Sequence, residues 1–151
     1  MGGNALKAFG AERKSKSDYQ RIVRQTLNQI HHQFPECRLE LIESYAAKKS
    51  FGDADILISQ DQLPSDWEEK IKQALEFKHS TKNGNVFSCL VDNLQVDLIQ
   101  TPEQTFEFAK NYFNFNDLGN LMGRVAHKMG FKYGHKGLLY RSDASTIINI
   151  I

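Results

Sequence analysis

The chain has few of the features that would place it in a membrane or outside the cell. Its 151 residues include only two cysteines, which have no C-x-x-C spacing, so we expect a reducing compartment and no disulfide framework. It has no apolar run as long as a signal peptide or a membrane span, and its first residues lack a myristoylation pattern. We therefore expect a protein of the cytoplasm or another intracellular soluble compartment, without a membrane partner.

Proline is also scarce, with three residues, and the chain has no low-complexity tract or internal repeat. With 40% hydrophobic and 25% charged residues, the composition is typical of a folded domain and excludes disordered and collagen-like chains. A domain of about 150 residues buries roughly 68–70% of its unfolded surface, so we expect stability without a metal or a disulfide.

The whole chain has almost no excess of charge of one sign, since its net charge is +1. Its parts, however, do carry such an excess. Residues 1–24 carry six basic and two acidic side chains, residues 25–120 carry eight and fifteen, and residues 121–151 carry five and one. Basic ends and an acidic middle suit a polyanionic partner and a cation among central carboxylates. Surface charge that is merely scattered unevenly gives the same pattern, so both interpretations stay open.

Hydrophobic periodicity predicts the element order α-β-β-α-β-β-α-α-β-β, which is typical of an α/β (α+β) domain with a mixed β-sheet flanked by helices. The predicted helices begin at Ser17, Ser65, Thr101 and Asn116, where Ser65 forms a capping box with Glu68 and Thr101 acts as a cap. The predicted strands cover residues 37–42, 55–59, 86–91, 94–100, 137–141 and 146–151.

Three regions are expected along the chain. Residues 1–16 lack periodicity and are expected to form a flexible basic arm. Residues 17–113 are expected to form the core, and residues 114–151 a partial C-terminal subdomain of helices and strands. Within that subdomain, Lys128, Lys132 and Lys136 recur every four residues and are candidates for nucleic-acid contacts, although an ordinary solvated surface has the same spacing.

Three aspartates on two predicted strands carry the strongest chemical signal. Strand alternation puts Asp53 and Asp55 on one face and their apolar neighbours on the other, and the strand around Asp97 repeats this arrangement. If the two strands are neighbours, three carboxylates converge, repel one another and require a divalent cation. Oxygen ligands favour Mg²⁺ or Mn²⁺, and two such ions about 3.5–4 Å apart suit phosphoryl transfer. A lone Asp-x-Asp is more often a solvated strand end, but the matched aspartate on a second strand favours the metal site.

The segment before these aspartates has the composition of a phosphate-binding loop. Ser44 and Tyr45 supply hydroxyl groups, Lys48 and Lys49 supply ammonium groups, and Gly52 allows close approach of backbone N–H groups. This combination strengthens the interpretation of the aspartates as a site for a phosphorylated substrate.

These motifs resemble the nucleotidyltransferase superfamily and, within it, the DNA polymerase X family of the polymerase beta type. Leu41-Ile42-Glu43-Ser44-Tyr45 followed by Gly52-Asp53-Ala54-Asp55 is similar to the family's Gly-Ser step and Asp-x-Asp strand, and Val96-Asp97-Leu98 to its third aspartate. Tyr112-Phe113 resembles the Tyr-Phe pair near the nucleotide sugar, and Gly137-Leu138 resembles a later Gly-Leu motif. The resemblance covers about residues 38–141, and it implies the boundary at residue 113 between the core and the partial C-terminal subdomain.

The resemblance implies a nucleotidyltransferase-like sheet and a metal-dependent enzyme that transfers a nucleoside monophosphate from a nucleoside triphosphate to the 3′-hydroxyl of a DNA or RNA end. It implies that Asp53, Asp55 and Asp97 are catalytic and bind two Mg²⁺ or Mn²⁺ ions. The nucleotide-binding residues that it implies are Ser44, Tyr45, Lys48, Lys49, Gly52, Tyr112, Phe113 and Asn116.

The chain also departs from the family pattern. Glu43 stands where the family has glycine, Ala46 and Ala47 replace an arginine pair, and Asn114-Phe115-Asn116 replaces a Thr-Gly-Ser segment. Two alternatives therefore stay open beside the polymerase-type enzyme. One is a non-templated nucleotidyltransferase that acts on RNA, protein or a small molecule, and the other is a degenerate polymerase-like module that binds without activity.

Overall fold

In the computed structural model, which describes residues 5–141 and 147–149, the chain divides into two units. The first unit comprises residues up to Leu41 together with Ala47–Thr101, and the second comprises Ile42–Ala46 and the chain from Pro102 onward. The division at Thr101 lies twelve residues before the predicted end of the core at residue 113, so the residues in between belong to the second unit.

The described residues of the first unit form two α-helices and seven strands. In chain order they are β1 (Lys14–Ser15), α1 (Lys16–Gln33), β2 (Leu39–Leu41), β3 (Ser50–Phe51), β4 (Asp53–Ser59), α2 (Trp67–Leu75), β5 (Ser80–Asn83), β6 (Val86–Val91) and β7 (Leu94–Thr101). The main sheet has the strand order β2-β4-β7-β6-β5, and β1 pairs separately with β3. Only β4 and β7 pair in parallel within the main sheet, which confirms the predicted α/β class with a mixed sheet.

One face of the main sheet packs against α1 and α2. Ala54 and Ile56 of β4 and Val96 and Leu98 of β7 are fully buried in a core that also contains apolar residues of both helices. Complete burial of an aliphatic side chain of this size contributes about 1.5–3 kcal/mol. This packing fixes which face of β4 and β7 carries the intervening aspartates.

Regular structure already begins within residues 1–16, which are predicted to form a flexible arm. Leu6 is fully buried, a 3₁₀ turn spans Lys7–Phe9, and β1 pairs with β3. Helix α1 begins at Lys16 because the Ser15 hydroxyl accepts a hydrogen bond from the Asp18 N–H. The prediction of a flexible arm is therefore wrong for residues 5–16, and residues 1–4 lie outside the described part of the chain.

The caps predicted for two helices are also wrong. Helix α2 begins at Trp67, and no side chain caps it; Glu68 pairs with Lys82 instead of closing a box with Ser65. Thr101 is the buried last residue of β7, and its hydroxyl donates to the Ile99 carbonyl. The strand pairing continues to Thr101, so the next helix starts only after a further 3₁₀ turn.

The second unit contains α3 (Phe106–Phe113), α4 (Leu118–Lys128), β8 (Phe131–Gly134), β9 (Gly137–Arg141) and β10 (Ile147–Asn149). The three strands form an antiparallel sheet in the order β10-β9-β8. Helix α4 ends, as predicted, before Gly130, whose φ is 81°. The predicted last strand is present at Ile147–Asn149, while residues 146, 150 and 151 lie outside the described residues.

None of the helices within residues 5–141 is long and apolar enough to cross a membrane. The apolar stripe formed by α4 and its C-cap residue is exposed on the second unit, with exposed fractions of 46–67%. Its members are Leu118, Leu121, Met122, Val125 and Met129.

Close packing of α3 against α4 gives a test of this unit. A Cβ atom at Gly119 would lie 2.1 Å from the Tyr112 carbonyl oxygen, so Gly119→Ala must push the helices apart. We expect it to lower the free energy of unfolding by about 1–3 kcal/mol, measured by urea denaturation.

Gly123→Ala is the matched control on the same helix. Its Cβ would lie 3.4 Å from the nearest atom, the Tyr133 carbonyl oxygen, and alanine has a higher helix propensity by about 1 kcal/mol. This variant should be neutral or stabilising, and equal stability of the two variants would contradict the described packing.

Candidate metal centre

Parallel pairing of β4 with β7 brings the three predicted aspartates together. In the register of this pair, Asp55 lies opposite Asp97, and Asp53 lies opposite Gln95. Carboxylate oxygens of Asp53, Asp55 and Asp97 all lie within 4.8 Å of one another. The predicted convergence of these carboxylates on one face of a mixed sheet is confirmed.

The electrostatics of the cluster are those of anions held close together away from water. Burial, reinforced by the charges of Asp53 and Asp97, raises the pKa of Asp55 to about 7, and the Lys48 ammonium opposes this shift. Burial also raises the pKa of Asp97, while hydrogen bonds from Ser88 and Gln95 act in the opposite direction. The protein's own groups therefore compensate the negative charge of the cluster only in part.

The donor set fits a hard divalent cation. Asp55 Oδ1 is buried and accepts no hydrogen bond from any residue within the described ranges. Three carboxylates that supply only oxygen atoms suit Mg²⁺ or Mn²⁺ better than a softer metal. Asp53, Asp55 and Asp97 are thus the residues that can hold such ions.

A buried amide supports the cluster and was missed by the sequence analysis. Gln95 Nε2 donates to both oxygens of Asp97, at 2.9 and 3.0 Å, and Gln95 Oε1 accepts the Leu6 N–H at 3.1 Å. Ser88, the partner of Asp97 on β6, donates its hydroxyl to the same carboxylate. The sequence signal for this contact was strand alternation, because Gln95 precedes Asp97 by two residues and therefore lies on the same strand face.

Two further groups of the first unit lie near the aspartates without being suited to bind a metal. Burial and the charges of Asp55 and Asp53 raise the pKa of Tyr19 to about 12, and its ring stacks on Phe51 with a centroid distance of 4.0 Å. Burial, aided by the charge of Asp97, raises the pKa of Cys89 to about 12. Both groups therefore stay protonated at neutral pH.

The candidate phosphate-binding residues of the first unit lie around β3. Lys48 Nζ is 5.0 Å from the centroid of the Phe51 ring, and Lys49 is exposed. Arg13, which lies in the predicted basic arm, donates to the hydroxyl and carbonyl of Ser50. One of its guanidinium nitrogens would lie 3.0 Å from a Cβ built on Gly52. The N-terminal segment therefore places a guanidinium group beside the glycine that precedes Asp53.

The remaining candidate nucleotide residues belong to the second unit, where the backbone around Ser44 is held by two asparagines. Asn114 Oδ1 accepts the Glu43 N–H at 2.8 Å, and Asn116 Oδ1 accepts the Tyr45 N–H at 3.3 Å. The Glu43 carbonyl also accepts the N–H of Phe115 at 2.7 Å. The asparagine segment that departs from the family pattern thus fixes the backbone conformation on both sides of Ser44.

The aromatic pair of the second unit lies next to a histidine. The rings of Tyr112 and Phe113 meet edge to face with a centroid distance of 5.2 Å, and Phe113 stacks on His135 at 5.8 Å. Burial lowers the pKa of His135, and the charges of Lys136 and Lys132 lower it further.

The three candidate nucleic-acid lysines occupy different elements of the second unit. Lys128 is the last residue of α4, Lys132 lies on β8, and Lys136 lies in the turn between β8 and β9. A groove of about 1090 Å³ is lined by Lys128 and Lys132, together with Arg124 and the aromatic residues Tyr112, Phe131 and Tyr133. Two of the three lysines therefore share a groove with aromatic side chains.

Comparison with known proteins identifies no family. No protein-family model matches the chain, and a search of curated proteins finds no significant match. The resemblance to DNA polymerase X therefore stays a prediction from the motifs.

Protonation of Asp55 gives a test of the cluster in the metal-free protein. Its pKa rises from 3.8 to about 7 on folding, so its protonation stabilises the fold fully below pH 4, and that contribution is lost as the pH rises through 7. The upper bound is about 4 kcal/mol, from 1.36 kcal/mol per pKa unit. Thermal unfolding in EDTA between pH 5 and 8.5 should show a falling Tm.

Asp55→Asn should flatten this pH dependence and raise the Tm at pH 8, because the amide carries no charge at any of these pH values. Asp61→Asn, which changes an exposed aspartate on a 3₁₀ turn, is the control and should leave the slope unchanged. Parallel pH profiles for the wild type and Asp55→Asn would contradict the pKa shift.

Proposed function

We propose that the protein is a metal-dependent nucleotidyltransferase of the DNA polymerase X type. The observation that carries this proposal is the convergence of Asp53, Asp55 and Asp97 from two parallel strands, with a buried oxygen of Asp55 that accepts no hydrogen bond from the described residues. Its substrates are a nucleoside triphosphate and the 3′-hydroxyl of a DNA or RNA end. Its products are the extended end and pyrophosphate.

The three aspartates divide the binding of two Mg²⁺ or Mn²⁺ ions between them. Asp53 and Asp55 would hold both ions, and Asp97 would hold one of them and help to activate the 3′-hydroxyl. The ions would supply positive charge that offsets the phosphate oxygens and eases deprotonation of that hydroxyl. The residues contribute mainly position, because phosphoryl transfer needs little covalent chemistry from side chains.

Cationic groups near β3 are assigned to the triphosphate. The Lys48 ammonium is close enough to Asp55 to oppose the rise in the pKa of that carboxyl group. Arg13 lies beside Gly52. Together with Lys49, they provide positive charge in a chain that lacks the family's arginine pair at Ala46 and Ala47. The resemblance implies nucleotide contacts for five residues of the second unit, which are Ser44, Tyr45, Tyr112, Phe113 and Asn116.

The nucleic-acid end is assigned to the basic face of the second unit. Lys128 and Lys132 line a groove with aromatic side chains, a combination that suits phosphate contacts and base stacking. Lys136 lies in the turn between β8 and β9 and is assigned to the same nucleic-acid end.

The absence of the arginine pair favours a second candidate, a non-templated nucleotidyltransferase that acts on RNA, protein or a small molecule. Ala46 and Ala47 are exposed and offer no bidentate phosphate contact. A degenerate module without activity is less well supported. A buried carboxylate without a neutralising partner lowers stability, and a domain without chemistry has no reason to retain such a residue.

Nucleotide transfer to a labelled primer tests the proposal. The wild type should extend the primer only with Mg²⁺ or Mn²⁺, and Asp97→Asn should lower kcat by about 100-fold or more, because several kcal/mol of charge stabilisation are lost. Extension of gapped DNA according to its template distinguishes the polymerase from the non-templated enzyme.

Asp92→Asn is the matched control, since Asp92 lies exposed in the β6–β7 turn with a φ of 48° that asparagine also tolerates. It should leave kcat unchanged. Transfer that persists in Asp97→Asn, or that is absent from the wild type with every acceptor and either metal, would contradict the proposed function.

A further inference from the structure

We infer that Gln95 is a positioning residue of the metal centre and that the N-terminal segment around Leu6 holds it in place. This inference rests on the proposed function, since it concerns the ions that Asp97 binds. It adds to that function a link between metal binding and a segment that the sequence analysis treated as a flexible arm.

The amide of Gln95 has a single arrangement that satisfies its surroundings. The side chain is 1% exposed, its nitrogen donates to both oxygens of Asp97, and its oxygen accepts the Leu6 N–H. A flipped amide would set its oxygen against the carboxylate and its NH₂ group against the N–H, losing every one of these bonds. The two neighbours therefore fix the orientation of the amide.

The position of Gln95 suits it to orient the carboxylate. It lies on the same face of β7 as Asp97 and opposite Asp53 in the register with β4. Donation to both oxygens fixes the plane of the Asp97 carboxylate and leaves its other lone pairs for an ion. Burial of an amide costs more free energy than burial of an aliphatic side chain. The hydrogen bonds to the Asp97 carboxylate explain why a glutamine occupies this position.

The N-terminal segment is itself anchored to the hairpin that carries Gln95. Leu6 is fully buried, and its carbonyl accepts N–H groups of Phe9 and Ala11. The Glu12 N–H then donates to the carbonyl of Asn93 in the β6–β7 turn. A continuous path of hydrogen bonds thus runs from the Leu6 backbone through Gln95 to Asp97. Because linkage is reciprocal, ion binding at Asp97 stabilises the segment, and the ordered segment strengthens ion binding.

Mn²⁺ affinity, measured by electron paramagnetic resonance of free Mn²⁺, tests the role of Gln95. Gln95→Met keeps a similar volume but removes both amide contacts, and the Mn²⁺ Kd should rise about 10- to 100-fold. Thr101→Val is the matched control, because it removes a buried hydroxyl from the same strand. It should lower stability but change the Mn²⁺ Kd by less than about twofold.

Amide hydrogen exchange in the wild type tests the link to the N-terminal segment without a substitution. Saturating Mg²⁺ should slow exchange of the Leu6 amide severalfold, measured by NMR, and should have no such effect in Gln95→Met. An unchanged Leu6 exchange rate in the wild type would overturn the link.

The outcomes separate this inference from the proposed function. A wild type that binds Mn²⁺ with the same Kd as Gln95→Met overturns the positioning role and leaves the metal centre intact. A wild type that binds no Mn²⁺ overturns both. Loss of Mn²⁺ affinity in Thr101→Val equal to that in Gln95→Met would show a general structural effect and would also overturn the positioning role.

Discussion

The parallel pairing of β4 with β7 determines the position of every group in the candidate metal centre. The two strands hold their register because Ala54, Ile56, Val96 and Leu98 are buried on the opposite face. A slip of one residue would move these apolar side chains away from the core, so the core resists it. Two unit charges 4 Å apart repel by about 4 kcal/mol at an effective dielectric constant of 20. Hydrophobic packing on one face thus holds carboxylates together on the other.

The features that follow from strand alternation could be predicted from the sequence. The parity of Asp53, Asp55 and Asp97 relative to their apolar neighbours predicted both the buried face and the cluster. The β6–β7 hairpin was predictable as well, because Asp92 and Asn93 adopt the positive φ values of 48° and 60° that such residues tolerate in a tight turn.

The features that depend on distant contacts could not be predicted. Every residue of β5 is exposed, so its polar sequence has no alternation to detect. Leu6 lies in a short segment of mixed residues without periodicity, and only its contact with the hairpin shows that this segment is ordered. The parity of Gln95 places it on the strand face of Asp97, but the sequence does not show that its amide is buried. The hydrogen bonds by which Asn114 and Asn116 hold the backbone of residues 43–45 join parts of the chain 71 residues apart, so nothing in the sequence indicates them.

Anomalous X-ray diffraction from crystals soaked in Mn²⁺ and a non-hydrolysable nucleoside triphosphate tests the central claim most directly. We expect an anomalous peak about 2.0–2.2 Å from carboxylate oxygens of Asp53, Asp55 and Asp97, with triphosphate density beside it. The absence of an anomalous peak beside these three aspartates would contradict the proposed metal centre, whether or not Mn²⁺ binds elsewhere in the crystal.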